Sequence, residues 1–252
     1  VRIDPGTRVL LFDCYQTLVG IHTDEGDLAA WVHLAGFLRV NGLPADAEGL
    51  RWRYHELVAE RLAGSAEAHP EFDAVGVFRQ IVGELGGDVG RGPDDDVGTP
   101  GLPTRACSEF RAASTRWLEV FPDSIPALRA LGERYTLGLV TDAQRVFLQA
   151  ELRRTGLEGL FEVMVVSSDL GFRKPDPRMF EIALVELGVR PDEALYVGDS
   201  LERDVGGARA AGVTGVWLDR RGEAVARGVE VGDGVGQVVV IRSLAELVGP
   251  GE

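Results

Sequence analysis

The stretch Val9-Leu10-Leu11-Phe12-Asp13-Cys14-Tyr15-Gln16-Thr17-Leu18 decides the fold. Four apolar residues in a row read as a strand buried on both faces, and the run stops at a carboxylate followed by small and polar residues. Asp13 is thus placed at the carboxyl end of a central strand. In open parallel α/β sheets ligands bind at that edge, in the crevice formed by the loops that leave the strand tips. An aspartate is also common in such turns for local reasons. Its meaning depends on what the rest of the chain brings to the same edge.

Working outward, the pattern turns helical after Leu18. Helices are predicted over Asp27 to Val40, closed by Asn41-Gly42, then over about Ala47 to Ala63, Phe72 to Leu85 and Thr104 to Glu119, with no strand pattern among them. Residues 86–104, rich in Gly, Pro and Asp, read as a mobile loop. From Ser124 strands and helices alternate. Strands are expected at Thr136 to Thr141, Val163 to Val166, Ala194 to Val197, Gly215 to Leu218 and Val238 to Ile241, with helices at Ile125 to Glu133, Val146 to Thr155, Arg178 to Gly188 and Val205 to Ala211. This rhythm indicates an α/β fold, a doubly wound parallel sheet with helices on both faces. Residues 1–19 and 120–252 would form the core and 20–119 an inserted α-helical cap rooted beside Asp13, able to exclude water from the strand tips.

Composition narrows the partners. The chain has 252 residues, 45% of them hydrophobic, enough for a full core, and a formal net charge of −14. A nucleic-acid backbone is a poor partner for such a chain, and a metal cation a better one. No run approaches the ~18 apolar residues of a membrane span, and no basic segment followed by an apolar core opens the chain, so a cytoplasmic location is expected. Cys14 and Cys107, the two cysteines, are far apart and lack metal-ligand spacing, which fits a reducing compartment. Cys14, beside a carboxylate that disfavours its thiolate, reads as a packing residue. Asp94-Asp95-Asp96 reads as a solvated run.

The strand tips repeat one theme. The strand at 136–140 runs into Thr141-Asp142, that at 194–197 into Gly198-Asp199-Ser200, and Phe172-Arg173-Lys174-Pro175-Asp176-Pro177 lies between them. Parallel strands would bring Asp13, Thr141, Asp199 and Lys174 to one edge. Asp204, five residues beyond Asp199, adds a third negative charge, and three carboxylates within several Å repel unless neutralised. Mg²⁺ prefers such oxygen-rich surroundings. Lys174, on a loop stiffened by Pro175 and Pro177, would hold a nucleophilic carboxylate ionised and offset charge on an anionic substrate.

These stations, in this order, resemble the haloacid dehalogenase-like (HAD) hydrolase superfamily: Phe12-Asp13 through Thr17-Leu18, Thr141, Lys174-Pro175-Asp176-Pro177, and Gly198-Asp199-Ser200 with Asp204. The resemblance covers residues 8–19 and about 118–245, with the inserted helical cap matching one branch of the family. It implies Asp13 as the nucleophile of a covalent ester or acyl phosphate, Thr141 and Lys174 holding the transferred group, and Asp199 and Asp204 supporting Mg²⁺. Tyr15 would add its backbone carbonyl to the metal, and Tyr15, Thr17 and Asp142 would border the substrate.

Two departures divide the activity. Family phosphatases carry an acid two residues after the nucleophile, to protonate the leaving alcohol, and here that residue is Tyr15. Tyrosine at this place resembles the L-2-haloacid dehalogenases, whose halide leaving group needs no proton. Those enzymes work without Mg²⁺ and do not call for the Asp199 and Asp204 pair, and they place Gly where this chain has Gln16 and Asn where it has Asp142. The leading expectation is Mg²⁺-dependent hydrolysis of a small phosphorylated metabolite, with Asp142 as substitute proton donor. The alternatives are a haloacid dehalogenase and a non-catalytic binding relative. His22, Arg39, Trp52, Arg53 and His55 read first as surface or core residues of the cap, and second as candidates to reach the cleft.

Overall fold

The computed structural model describes residues 3–89, 100–224, 232 and 237–249. Strand β1 (Val9–Phe12) is buried over its whole length, as four consecutive apolar residues require. Because successive side chains point to opposite faces, Leu10 and Phe12 enter one hydrophobic cluster and Val9 and Leu11 another. A strand able to feed two cores must lie in the middle of a sheet covered on both sides.

Following β1 come β2 (Val19–Thr23), α1 (Leu28–Val40), α2 (Ala47–Ala63), α3 (Ala74–Glu84), α4 (Leu102–Ser114) and β3 (Thr115–Val120). The α/β run comprises α5 (Ser124–Gly132), β4 (Thr136–Thr141), α6 (Arg145–Thr155), β5 (Val163–Val166), α7 (Ser167–Leu170), α8 (Arg178–Leu187), β6 (Ala194–Gly198), α9 (Gly207–Ala210), β7 (Thr214–Leu218), β8 (Val239–Ile241) and α10 (Ala245–Val248). The six-stranded sheet has the order β5-β4-β1-β6-β7-β8, and every pairing is parallel. Leu128 of α5, Leu148 of α6 and Leu247 of α10 cover one face, and Met179, Phe180 and Ala183 of α8 cover the other.

The helices α1 to α4 pack around a core of their own, in which Trp31, Tyr54, Phe78 and Phe110 meet, the Trp31 and Phe110 rings 4.3 Å apart. Asp27, Asp46 and Asp73 cap α1, α2 and α3 by accepting backbone N–H bonds, which is why these helices start where the sequence signals them.

One expectation is corrected here. The helix expected to reach Glu119 ends at Ser114, and Thr115–Val120 forms instead an antiparallel ribbon with Val19–Thr23. A two-stranded ribbon is held by its cross-strand partner, here about a hundred residues away, so neither half announces itself locally. The ribbon is the double strap through which the chain leaves and re-enters the α/β layer. Asp94-Asp95-Asp96 and most of the Gly-rich 222–236 lie outside the described residues. Among the described residues no helix is long and apolar enough to cross a membrane.

Candidate functional site

The register sets the site. Phe12 lies opposite Leu139 of β4 and Val197 of β6, so Asp13, Thr141 and Asp199 all fall one or two residues beyond one line across the sheet. Asp13 donates its backbone N–H to the Val197 carbonyl at 2.9 Å, continuing the ladder, and its carboxylate is buried. The chain then turns back sharply. Leu18 and Val19 both donate to the Cys14 carbonyl, and Gln16 sits at φ 63°, a left-handed conformation uncommon for a residue with a side chain.

Lys174 is the hub. Its buried ammonium donates to Asp13 Oδ1 at 2.8 Å, to Asp204 Oδ1 at 2.6 Å and to the Tyr196 hydroxyl at 2.9 Å, using all three protons. Its backbone N–H donates to Asp142 Oδ1 at 2.9 Å, tying the loop to the β4 tip. Burial alone would lower the lysine pKa, but the carboxylates of Asp13 and Asp204 outweigh it and hold the amine above its usual value.

The carboxylates of Asp13, Asp199 and Asp204 each offer an oxygen within 4.8 Å of the others. Three negative charges thus face one ammonium. Burial, opposed by Lys174 and reinforced by Asp204 and Asp199, pushes Asp13 up to about 7. Asp199 is also raised, by burial and by Asp204. Asp204 is anchored from both ends, since Oδ1 accepts from Lys174 and Oδ2 accepts the Ser200 N–H at 2.8 Å. Its side chain lies across Gly198, where a Cβ would come within 2.3 Å of the Asp204 Cγ. Only glycine allows that approach. The chain then widens into a π-helical turn, Leu201–Gly206, begun by Ser200, whose hydroxyl accepts the Arg203 N–H.

Residues at the rim divide. Thr141 is fully buried and its hydroxyl oxygen has no partner. Thr17 donates to Asp13 Oδ2 at 3.5 Å, a long bond that leaves this oxygen less tightly held than Oδ1. The second oxygen of Asp142 makes no hydrogen bond and lies 3.5 Å from the Arg203 guanidinium. Tyr15 points away: its hydroxyl donates to Glu151 of α6, which also accepts from Arg111 Nε of α4 at 2.8 Å. Burial and the Glu151 carboxylate raise the phenol's pKa well above its ordinary value. Cys14 is buried in the core, with its thiol pushed up by burial and by Asp13.

The nominated cap residues lie in other contacts. Arg39 donates to the Ala45 carbonyl, Arg53 pairs with Glu84, and Trp52 and His55 line an outer recess with Leu28. His22 sits on the ribbon opposite Trp117. The helical layer touches the site elsewhere. The Glu71 N–H donates to the Gly171 carbonyl and the Arg173 N–H to the His69 carbonyl, both at 2.9 Å, so the α2–α3 connection runs along the Lys174 loop. The Ser167 hydroxyl donates to Glu71 at 2.9 Å and accepts the Ala143 N–H at 3.0 Å, which joins that connection to the β4 tip.

Sequence reading passed over Tyr196. Its hydroxyl accepts from Lys174 and lies 3.0 Å from Asp204 Oδ1 and 2.9 Å from the Val140 carbonyl. The signal was present, because a tyrosine within a strand buried on both faces must find a partner for its hydroxyl.

The family model for haloacid dehalogenase-like hydrolases matches residues 7–212, which contain all of these stations. The chain belongs to that family. As a HAD-like hydrolase it has relatives of two kinds. It is 39% identical over 214 residues to a glyceraldehyde 3-phosphate phosphatase of Pyrococcus abyssi, covering 84% of this chain and 81% of that protein. It is 30% identical over 220 residues to (S)-2-haloacid dehalogenase 4A of Burkholderia cepacia, covering 85% and 84%. The chain spans about half the length of several other curated relatives, such as a glyceraldehyde 3-phosphate phosphatase of Methanopyrus kandleri, 38% identical over 49% of this chain and 53% of that protein. Among solved structures, a HAD phosphatase from Thermococcus onnurineus superposes with a TM-score of 0.56 at 27% identity over 95% of both chains.

Proposed function

We propose that this hydrolase cleaves small phosphate monoesters with Mg²⁺, using Asp13 as nucleophile. The observation that carries the proposal is the meeting of Asp13, Asp199 and Asp204 within 4.8 Å around a single ammonium. Carbon–halogen cleavage needs an ionised carboxylate but no metal, so it does not by itself call for three acids gathered at one point. The donor set suits a hard divalent ion, because the three carboxylates outnumber the neutralising ammonium, and burial together with the neighbouring Asp204 and Asp199 pushes Asp13 up to about 7. Asp13, Asp199 and Asp204 would hold Mg²⁺, with the Tyr15 carbonyl completing the set. When bound, the ion neutralises the acids and draws charge from the phosphoryl oxygens.

The chain's own residues do the rest. Lys174 occupies Asp13 Oδ1, which leaves Oδ2 as the attacking oxygen. That oxygen bonds to phosphorus as the bond to the leaving oxygen breaks, and the result is an acyl phosphate on Asp13. The partnerless Thr141 hydroxyl donates to a phosphoryl oxygen, with Thr17 beside it. Water then attacks phosphorus, phosphate leaves, and the carboxylate is regenerated. The Tyr15 phenol, bonded to Glu151, supplies no proton to the leaving alkoxide, which takes it from water. Turnover should therefore favour leaving groups that are stable as anions. Residues 20–119 act as the cap, held down by the α2–α3 connection.

The Tyr15 arrangement favours the second reading, haloacid hydrolysis, in which no proton is required. One assay separates the two. Phosphate release from p-nitrophenyl phosphate that EDTA abolishes supports the phosphatase, and EDTA-insensitive chloride release from 2-chloropropionate would replace it with the dehalogenase.

A further inference from the structure

A recess of about 460 Å³ opens beside the acidic cluster, and Asp199 belongs to both. The volume lies in the range of small-molecule sites. Its walls come from the nucleophile turn (Gln16), the ribbon and the residue that follows it (Trp117, Phe121), the π-helical turn (Arg203) and the loop after β7 (Arg221). The Trp117 indole lies over Gly20, where a Cβ would come within 2.7 Å of its ring, so the glycine lets the ring lie flat against the ribbon. Half exposed, that ring gives the recess an apolar wall.

The charged groups around the recess can be sorted by what they already hold. Arg220 donates to the Thr17 carbonyl and to both oxygens of Asp123, and its guanidinium covers the Phe121 ring at 4.2 Å. Asp219 accepts the N–H groups of Glu223 and Ala224. Arg203 and Arg221 remain, with side chains 53% and 74% exposed. Their nearest carboxylates are Asp142 at 3.5 Å and Glu223 at 4.0 Å, contacts that leave most guanidinium donors unspent. In a chain of net charge −14, the recess sets Arg203, Arg220 and Arg221 against Asp199, Asp219 and Glu223, so its lining is balanced where most of the chain is acidic. Because Asp142 and Glu223 already take part of the charge of Arg203 and Arg221, that pair suits one added negative charge better than two.

We propose that the recess receives the leaving-group portion of the substrate and that Arg203 and Arg221 bind a carboxylate on it. The preferred substrates are then short phosphate monoesters that also carry a carboxylate, with their carbon chain against Trp117. This rests on the phosphatase reading, and binding measurements keep the two apart.

Two phosphonates of similar size that cannot be hydrolysed, 3-phosphonopropionate and propylphosphonate, are titrated calorimetrically with and without Mg²⁺. Charge-assisted bonds to a guanidinium predict that wild type binds the carboxylated ligand about tenfold or more tightly. Arg203→Gln and Arg221→Gln should each reduce that ratio to about threefold or less. Arg221 is remote in sequence from the metal-ligand candidates, so its variant guards against a displaced Asp204. A wild-type preference below tenfold, or one that survives both substitutions, overturns the proposal. Phosphate release from p-nitrophenyl phosphate, measured separately, reports on the phosphatase reading, and its absence would sink that reading while the ratio still decides the recess.

Discussion

Replacing Asp13 by Asn should abolish turnover and, without metal, stabilise the protein. Asp13 rises from 3.8 to about 7 in the folded chain. At 1.36 kcal/mol per pKa unit, three units correspond to about 4 kcal/mol of destabilisation once the group is ionised in both states. The sign follows from the raised value. Between pH 4 and 7 the folded state binds the proton and the unfolded state does not, so wild-type stability falls as pH rises through this window and is lowest above 7. Asn removes the penalty but weakens one of the three Lys174 bonds, at about 1 to 2 kcal/mol. The net gain at pH 8 in EDTA is about 2 to 3 kcal/mol, or about 4 to 12 °C for a chain of this size. At pH 5.5 the penalty is about 2 kcal/mol and the difference should nearly vanish. Thermal unfolding by calorimetry at the two pH values measures this directly. A variant less stable than wild type at pH 8, or a difference that does not change with pH, would refute the electrostatic reasoning.

Three further outcomes follow from the same geometry. Tyr15→Phe should change phosphate release by less than about threefold, because the phenol bonds to Glu151, whereas loss of a true general acid costs about 10² to 10⁴ in kcat. Gly198→Ala places a methyl within 2.3 Å of the Asp204 Cγ, so it should lower stability by about 1 to 3 kcal/mol and weaken Mg²⁺ binding, read by unfolding and by metal titration. Lys174→Met leaves Asp13 and Asp204 buried without their cation, and should cost about 3 to 5 kcal/mol at pH 8 together with activity, checked by unfolding and by steady-state kinetics.

The parallel sheet was legible because its signals are local: the uninterrupted Val9–Phe12, the apolar strands that follow and the helices between them. The meeting of Asp13, Asp199, Asp204 and Lys174 was legible because parallel strands must deliver their carboxyl ends to one edge. Contacts between distant segments were not. The β2–β3 ribbon joins stretches that look unremarkable alone, and the Glu71–Ser167 and Tyr15–Glu151–Arg111 connections depend on how the helical layer settles on the sheet. Nothing in the spacing of Tyr15 reveals that its hydroxyl turns from the acids toward α6. Arg39 and Arg53, read first as structural residues of the cap, are spent within the helical layer itself.

The attacking residue can be identified chemically. A single turnover of Mg²⁺-loaded protein with p-nitrophenyl phosphate, quenched in acid and digested, should give a peptide containing Asp13 heavier by one phosphoryl group, and the Asp13→Asn protein should give none. A phosphorylated peptide from another part of the chain, or turnover that persists in Asp13→Asn, would contradict the role given to this carboxylate.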